Sequence, residues 1–560
     1  MNDIPLPDDI KEWIKNEKFQ VLTEAAEVAG GIVAKNEFAA QLLLRQKVWE
    51  HKEFFNRVRH PHTPTQEGIT WCRVSGQPVL THLIRTTRST FTQPACKEFD
   101  DMVCQTIEDK LGMRFPEGSS ERHQVQLPVH SWGLGFRPTE PTAPMAFFAS
   151  TARCISVLHE RGLPVSVKCT EACERILENI QAKLNAQEPT TFTSLREQLP
   201  LPTETFVSFY TKNPSLALGL QSQLSVLQTM NDKKQVDAKS EVAQARLESL
   251  SQPNSSRWLL ALPTDKNLKM DNKEFQIAVK IRLGKPVTPN VPTVCGLCQR
   301  HVLGQDLAAH LLGCIKLIPT SGTDRHDAIV QIIKEAIERI GGLVTVEPRN
   351  LSDRDKKRGD LRVVLGAETY LIDVTIRNNT ASSHLCPDDN KRTLREAEAA
   401  KKRKYEDHCK PTTMIMVPFA LDVYGSLGDE AIEFVDTLAT YAKQNGTSDG
   451  ERGVRDQLLD EISVTLQRHN ARMISKAVHV FGHQESDPFR FEGQQLAMRL
   501  SSAMSPAPHN HQPQEISLIP AFQQPLQPDT PKRFISPTSS SSSTSAMSLG
   551  ACPMDTSMTA

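Results

Sequence analysis

The sequence predicts a mixed fold, mainly α-helical over its N-terminal half and followed by a Cys/His knuckle and a small α/β domain. Three observations carry that expectation. Apolar residues recur at three-to-four spacing in the first 200 residues, a Cys-x2-Cys pair is followed by His and Cys at metal-ligand spacing, and beyond that cluster a helical pattern gives way to an alternating one.

At 560 residues the chain has room for about two to four domains with buried cores. Hydrophobic residues make up 38%, enough to fold, and 65 basic against 66 acidic residues leave almost no net charge. A globally basic nucleic-acid coat is therefore excluded, and any polyanion-binding surface must be local. Twelve cysteines are too sparse for a disulfide scaffold in so long a chain, which argues for a reducing, intracellular compartment. The amino terminus, MNDIPLPDDIKEW, lacks the basic and apolar regions of a signal peptide. No apolar run reaches the roughly 18 residues of a membrane span, so no membrane partner is expected.

Taken in order, residues 1–200 read as amphipathic helices between Pro-rich loops, with KEFDDMVCQTIEDKLG (97–112) and TEACERILENIQAKL (170–184) as the clearest. Residues 201–290 continue as a helical linker that includes QVDAKSEVAQARLESL and then a loop, SQPNSSRWLLALP. A knuckle follows at 291–318. Residues 319–445 give a helix (Arg325 to Ile340), a hairpin, a charged helix (Asn390 to Tyr405) and an apolar strand, MIMVPFAL, an α-β-β-α-β order that defines a compact α/β unit. A helical segment runs over 446–502. Beyond it, 503–560 has the Pro/Ser/Gln bias of a disordered tail.

In the knuckle, VCGLCQRHVLGQDLAAHLLGC sets Cys295 and Cys298 on a turn and places His310 and Cys314 four apart, on one face of a helix. Four such ligands leave no open position, so the expected ion is a structural zinc that supplies folding energy. CTEAC (169–173) and HPH (60–62) lack further ligands nearby and read as ordinary structure.

The hairpin is RGDLRVVLGAETYLIDVTIRN. A two-residue turn at Gly366-Ala367 pairs residues whose numbers sum to 733, so Asp360 faces Asp373 across the strands. One face carries Leu361, Val363, Leu365, Tyr370, Ile372, Val374 and Ile376. The other carries Asp360, Arg362, Asp373, Thr375 and Arg377, with Val364 and Leu371 toward the turn. Facing acids repel unless a cation bridges them, and a pair of carboxylates suits Mg²⁺ or Mn²⁺. Such an ion activates water and stabilises the charge that develops on a phosphodiester, so the chemistry expected is phosphodiester hydrolysis. Basic clusters flank the acids at Lys356, Lys357 and Arg358 and again at KKRKY (401–405), where they could neutralise phosphate.

The succession CGLC…H…C, RHD (325–327), VEP (346–348) and RGD-x12-D-V-T resembles the C-terminal region of non-LTR retrotransposon proteins, which carry a restriction-enzyme-like endonuclease. LPVHSWGLGFRP (127–138), ARLESLSQPNSSRWLLALP (245–263) and FQIAVKIRLGKP (275–286) are similar to the segments joining the reverse-transcriptase thumb to the knuckle, so the resemblance covers roughly residues 30–480. It implies a PD-(D/E)xK-type nuclease that nicks target DNA, with a partner in DNA and in the element's own RNA, and a nuclear location. Asp360 and Asp373 would then hold the catalytic Mg²⁺ or Mn²⁺, with Glu347 as a further acid and His326 beside the site. Gly359 stands where the family has proline, and Thr375 where many restriction-type nucleases have lysine. Lys391, Lys401 and Lys404 compete for the lysine's role, and Lys401 with Lys404 is preferred because Tyr405 adjoins them as in the family. Arg325, Lys356, Lys357, Arg358, Arg377, Lys391, Lys402, Arg403 and Tyr405 make up the expected nucleic-acid-binding set. No polymerase palm with its aspartate pair is found, so the chain reads as a fragment beginning near the thumb, and no reverse transcription is expected of it alone. The alternative expectation is a catalytically inactive nucleic-acid-binding remnant.

Overall fold

The computed structural model describes residues 24–485 except Ala29, Asp237, 289–291, Leu303, 349–358, 387–388, Asn390 and 447–449. The tail expected beyond 503, and Lys356, Lys357 and Arg358, lie outside the described residues. What is described is mostly helical, with a two-stranded hairpin and one four-stranded mixed sheet.

The three-to-four periodicity of the N-terminal half folds as helices, among them α1 (Ser89–Leu111), α2 (Thr139–Glu160) and α3 (Val167–Asn185). On α3 the buried Cys173, Ile176, Leu177, Ile180 and Leu184 form one stripe, as the spacing requires. Asp100 of α1 starts α2, its two carboxylate oxygens accepting from Thr139 N at 2.7 Å and Glu140 N at 2.9 Å. A hairpin of β1 (Ala25–Val28) and β2 (Gly31–Ala34) adds two strands to the expected mainly helical half. Its strands are four residues each, too short to show a period of two.

Helices α4 (Glu241–Ser251) and α5 (Asn272–Leu283) follow, each opened by a side-chain cap: Ser240 accepts from Ala243 N, and Asp271 forms a capping box with Glu274. The short α6 (Leu307–Leu311) belongs to the knuckle. Leu307, Leu311, Leu312 and Leu317 pack into a core shared with Leu247 and Leu250 of α4, Ile277 and Ile281 of α5, and Val423, Met473 and Ile474 from the C-terminal part. The knuckle is therefore embedded among its neighbours.

The α/β part runs α7 (Thr323–Arg339), β3 (Leu343–Val346), β4 (Leu361–Leu365), β5 (Glu368–Arg377), α8 (Lys391–Thr412), β6 (Ile415–Asp422), α9 (Asp429–Gln444) and α10 (Gly450–Glu485). The sheet order is β3-β4-β5-β6. The first three strands are antiparallel, and β6 is parallel to β5 with α8 as the crossover. The expected α-β-β-α-β order thus gains a strand. LVTV of β3 is a short edge strand with Leu343 and Val346 exposed, and so lacks the alternating burial that marks a strand in sequence.

The β4–β5 register is the predicted one, from Leu361 opposite Ile372 to Leu365 opposite Glu368. Gly366 makes the turn possible, with φ of 59° where a side chain would be strained. Leu361, Val363, Leu365, Tyr370, Ile372 and Val374 are buried against Ile329, Ile333 and Ile337 of α7, Phe434 and Leu438 of α9, and Leu458 and Ile462 of α10. Each such side chain contributes about 1.5–3 kcal/mol relative to exposure. The second face is covered as well: α8 packs on it, burying Leu371 with Tyr405, Cys409 and Met414. The acids therefore do not lie on an open, solvated sheet face.

Candidate functional site

Asp360 ends the loop before β4, and Asp373 stands in the middle of β5. The backbone at Asp360 is tied on both sides, its N–H to Ile372 O at 2.9 Å and its carbonyl accepting from Glu347 N at 2.8 Å. Gly359 has a local reason to be glycine. A Cβ there would stand 2.6 Å from the Leu371 side chain and 3.2 Å from Ile372 O, where the loop passes over β5.

The Asp360 carboxylate is partly exposed. Its Oδ2 accepts from Val374 N at 2.6 Å and from His326 Nε2 at 3.2 Å, whereas Oδ1 accepts nothing among the described residues. His326 sits in the first turn of α7, and its Nδ1 lies 3.0 Å from Asp327 Oδ1. The hydrogen bond to Asp360, with that to Asp327 and against the opposing effect of burial, pushes His326 up to about 9, so it is a cation at neutral pH.

Asp373 is 3% exposed and is held from α8 by three side chains. Lys401 Nζ donates to Oδ2. Tyr405 donates its hydroxyl to Oδ1 at 2.5 Å, and Lys404 Nζ approaches the same oxygen at 3.5 Å while donating to the Tyr405 hydroxyl at 2.6 Å. The spacing explains the convergence, because residues three and four apart on a helix share a face. The two acids thus have separate cations, His326 for Asp360 and the two lysines for Asp373. Their repulsion is answered by protein charges as well as by any ion.

Other expected residues fall elsewhere. Lys391 pairs with Asp429 at 3.0 Å, at the far end of α8 from Tyr405, and does not reach Asp373. Glu347 is exposed, with φ of 42°, and touches the site through its backbone. Two residues of the expected nucleic-acid-binding set are corrected by burial. Arg325 is 2% exposed and donates Nη1 to Asn470 Oδ1 at 2.8 Å, with burial pushing its guanidinium down to about 10. Tyr405 is 0% exposed, and burial together with Asp373 pushes its hydroxyl pKa up. Neither can touch a nucleic acid, because each is buried inside the fold. Lys402 pairs with Glu430 at 2.5 Å, Arg403 is exposed on α8, and Arg377 is half-buried at the end of β5.

In the knuckle, one ligand atom from each of Cys295, Cys298, His310 and Cys314 lies within 4.8 Å of the others, so the four could hold a metal ion, and they are the one such group among the described residues. The Cys turn is built by Cys295 N donating to Arg300 O at 2.8 Å and Gln299 N to Cys295 O at 2.9 Å, with Gln299 at φ of 59°. Cys314 does not share a helix face with His310, as α6 ends at Leu311; a turn brings the thiol back instead. Against the effect of burial, the backbone at Arg300 and the neighbouring thiols hold the Cys298 thiol below its ordinary value, and burial followed by Arg300 lowers His310. A thiolate and a neutral imidazole are the forms that ligate.

Sequence reading missed what joins the two centres. Asn378, directly after β5, donates Nδ2 to Ala309 O of α6 at 2.8 Å, and Asn379 donates to Asp422 Oδ2 at 3.3 Å and to Ser249 Oγ. Asp422 is buried, and its Oδ1 accepts from Tyr424 N, Gly425 N and Ser426 N at 2.9, 2.8 and 2.9 Å. The available signal was NNT following an alternating strand, a polar run at the strand end where side chains replace ladder hydrogen bonds.

No helix among the described residues is long and apolar enough to cross a membrane. No protein-family model matches the chain, and no curated protein matches it.

Proposed function

We propose that this chain is a metal-dependent DNA endonuclease of the PD-(D/E)xK type, derived from a non-LTR retrotransposon protein, and that its Cys3His site holds a structural zinc. The observation that carries the reading is the approach of Lys401 and Lys404 to Asp373 beside Asp360, on a hairpin crossed by one helix. Bound Mg²⁺ or Mn²⁺ would supply a Lewis acid and an activated water. Asp360 and Asp373 would hold it. Lys401 and Lys404 would offset the charge that builds on the phosphate. Tyr405 is a positioning residue that fixes the Asp373 carboxylate. His326 orients Asp360. Exposed Arg403 on α8 and Arg377 at the end of β5 supply local positive charge for a DNA backbone.

A second reading, a non-catalytic nucleic-acid-binding protein, has one observation in its favour: both oxygens of Asp373 already have side-chain donors, as in a structural ion-pair network. Incubating the purified chain with supercoiled plasmid and Mn²⁺ beside an Asp373→Ala control separates the two. Nicking by the wild type that disappears in the control supports the nuclease. Nicking that survives the substitution, or none in either sample, would falsify it. For the zinc, elemental analysis of the purified chain should return one equivalent that Cys298→Ser loses.

A further inference from the structure

Two sequence segments noted above, LPVHSWGLGFRP and SQPNSSRW, converge on a cavity of about 980 Å³ far from the two acids in sequence. That size falls at the upper end of sites for small organic ligands, roughly 300–1,000 Å³. Arg73, Arg85, Arg137 and Arg257 line it, and among the described residues no carboxylate does.

The four arginines are not equally engaged. Arg257 is paired with Asp456 at 3.0 Å and Asp460 at 2.7 Å, and Arg137 donates to Thr229 Oγ1 at 2.9 Å. Arg73 donates Nη1 to Leu259 O at 2.8 Å but leaves Nε and Nη2 buried without a partner among the described residues. Unmet donors on a buried cation are costly, and an anion is what relieves them. Arg85 is exposed in the same lining.

The same cavity also holds unmet acceptors. Oε1 of Gln77 and Oε1 of Gln221 are buried without partners among the described residues. Their amide nitrogens each have a partner, Gln77 in Arg137 O and Gln221 in Ser225 Oγ at 3.4 Å, so the oxygens are the atoms left wholly unmet. Water could serve these acceptors, yet it would not answer the guanidinium charge. A bare anion would answer the charge, yet it brings no donors. Ile84, Val129 and Leu260 add apolar wall. A ligand that meets all three conditions carries a phosphate, N–H or O–H donors, and an apolar body, as a nucleotide does.

We propose that this cavity binds a nucleotide, with its phosphate on Arg73 and Arg85 and the donors of its base or sugar on Gln77 and Gln221. The nucleotide is either free or one residue of a single strand, and the recognising chemistry is the same. The claim does not rest on the nuclease reading.

The test is calorimetric titration of the full chain, without added divalent ion, using adenosine 5′-monophosphate, adenosine, inorganic phosphate and a short single-stranded DNA oligonucleotide. The nucleotide or the oligonucleotide should bind at least about tenfold more tightly than phosphate or adenosine alone. Binding of the mononucleotide marks a free ligand; binding of the oligonucleotide alone marks a strand. Arg73→Ala should weaken binding about tenfold or more. Because Arg73 also holds Leu259, Arg85→Ala and Gln221→Leu serve as variants with smaller structural consequence, each weakening binding about threefold or more. No binding by the wild type, phosphate binding as tightly as the nucleotide, or binding indifferent to both Arg85→Ala and Gln221→Leu would overturn the proposal.

Discussion

His326 shows how a single residue joins the two halves of the acid site. Its folded pKa of about 9 lies above the roughly 6.5 of a free imidazole, so its bond to Asp360 stabilises the fold fully below pH ~6.5 and is lost as pH rises through ~9. In metal-free buffer, the stability difference between wild type and His326→Gln, from urea unfolding, should be largest near pH ~6 and shrink toward pH ~10. A difference that grows with pH would show that the imidazole is not held as a cation. Tyr405 gives a second residue-scale expectation. Tyr405→Phe removes a buried donor to Asp373, and unfolding should report a loss of about 1–3 kcal/mol.

Helix α8 brings two of the three candidate lysines to Asp373. Lys401 and Lys404 reach Asp373, whereas Lys391 is two or more turns away and paired with Asp429. On the nuclease reading, Lys401→Ala should slow plasmid nicking by about a hundredfold or more, while Lys391→Ala should leave it within about twofold. Equal losses from both would remove Lys401 from its assigned place.

The elements also show what can be read in advance. The β4–β5 register follows from a glycine turn and alternating residues, both local, and was legible to the residue. The knuckle was legible because ligand spacing is a property of the chain. The covering of the second sheet face by α8 was not legible, because it depends on a crossover helix meeting Leu371 from a distance in sequence. Arg325 was misread for the same reason: a basic residue in a charged motif gives no sign that Asn470, on α10, will meet it inside the fold. Strand β3 is a short, exposed edge strand with no alternation to read.

At the scale of the molecule, the knuckle occupies a junction. Cys295 and Cys314 lie in one apolar cluster with α4, α5 and α10, and Asn378 ties α6 to the end of the strand that carries Asp373. If the site holds the proposed zinc, its loss should therefore be felt on both sides. Cys295→Ser should cost more than about 4 kcal/mol, and should lower the cooperative unfolding of the helical half and of the sheet together. Separate transitions, with the sheet unaffected, would contradict a shared core. The arginine-lined cavity is built from residues of the helical half, and it too is tied to α10, through Arg257 paired with Asp456 and Asp460.

The most direct measurement is the rate of plasmid nicking with Mn²⁺ by Asp360→Asn beside wild type. Asp360 is partly exposed, so its neutral isostere tests the charge with less disturbance of the core than any change at buried Asp373. The account predicts a loss of about a hundredfold or more in nicking, well beyond what the loss of the His326 pairing takes from the melting temperature. Equal nicking by the two proteins would contradict it.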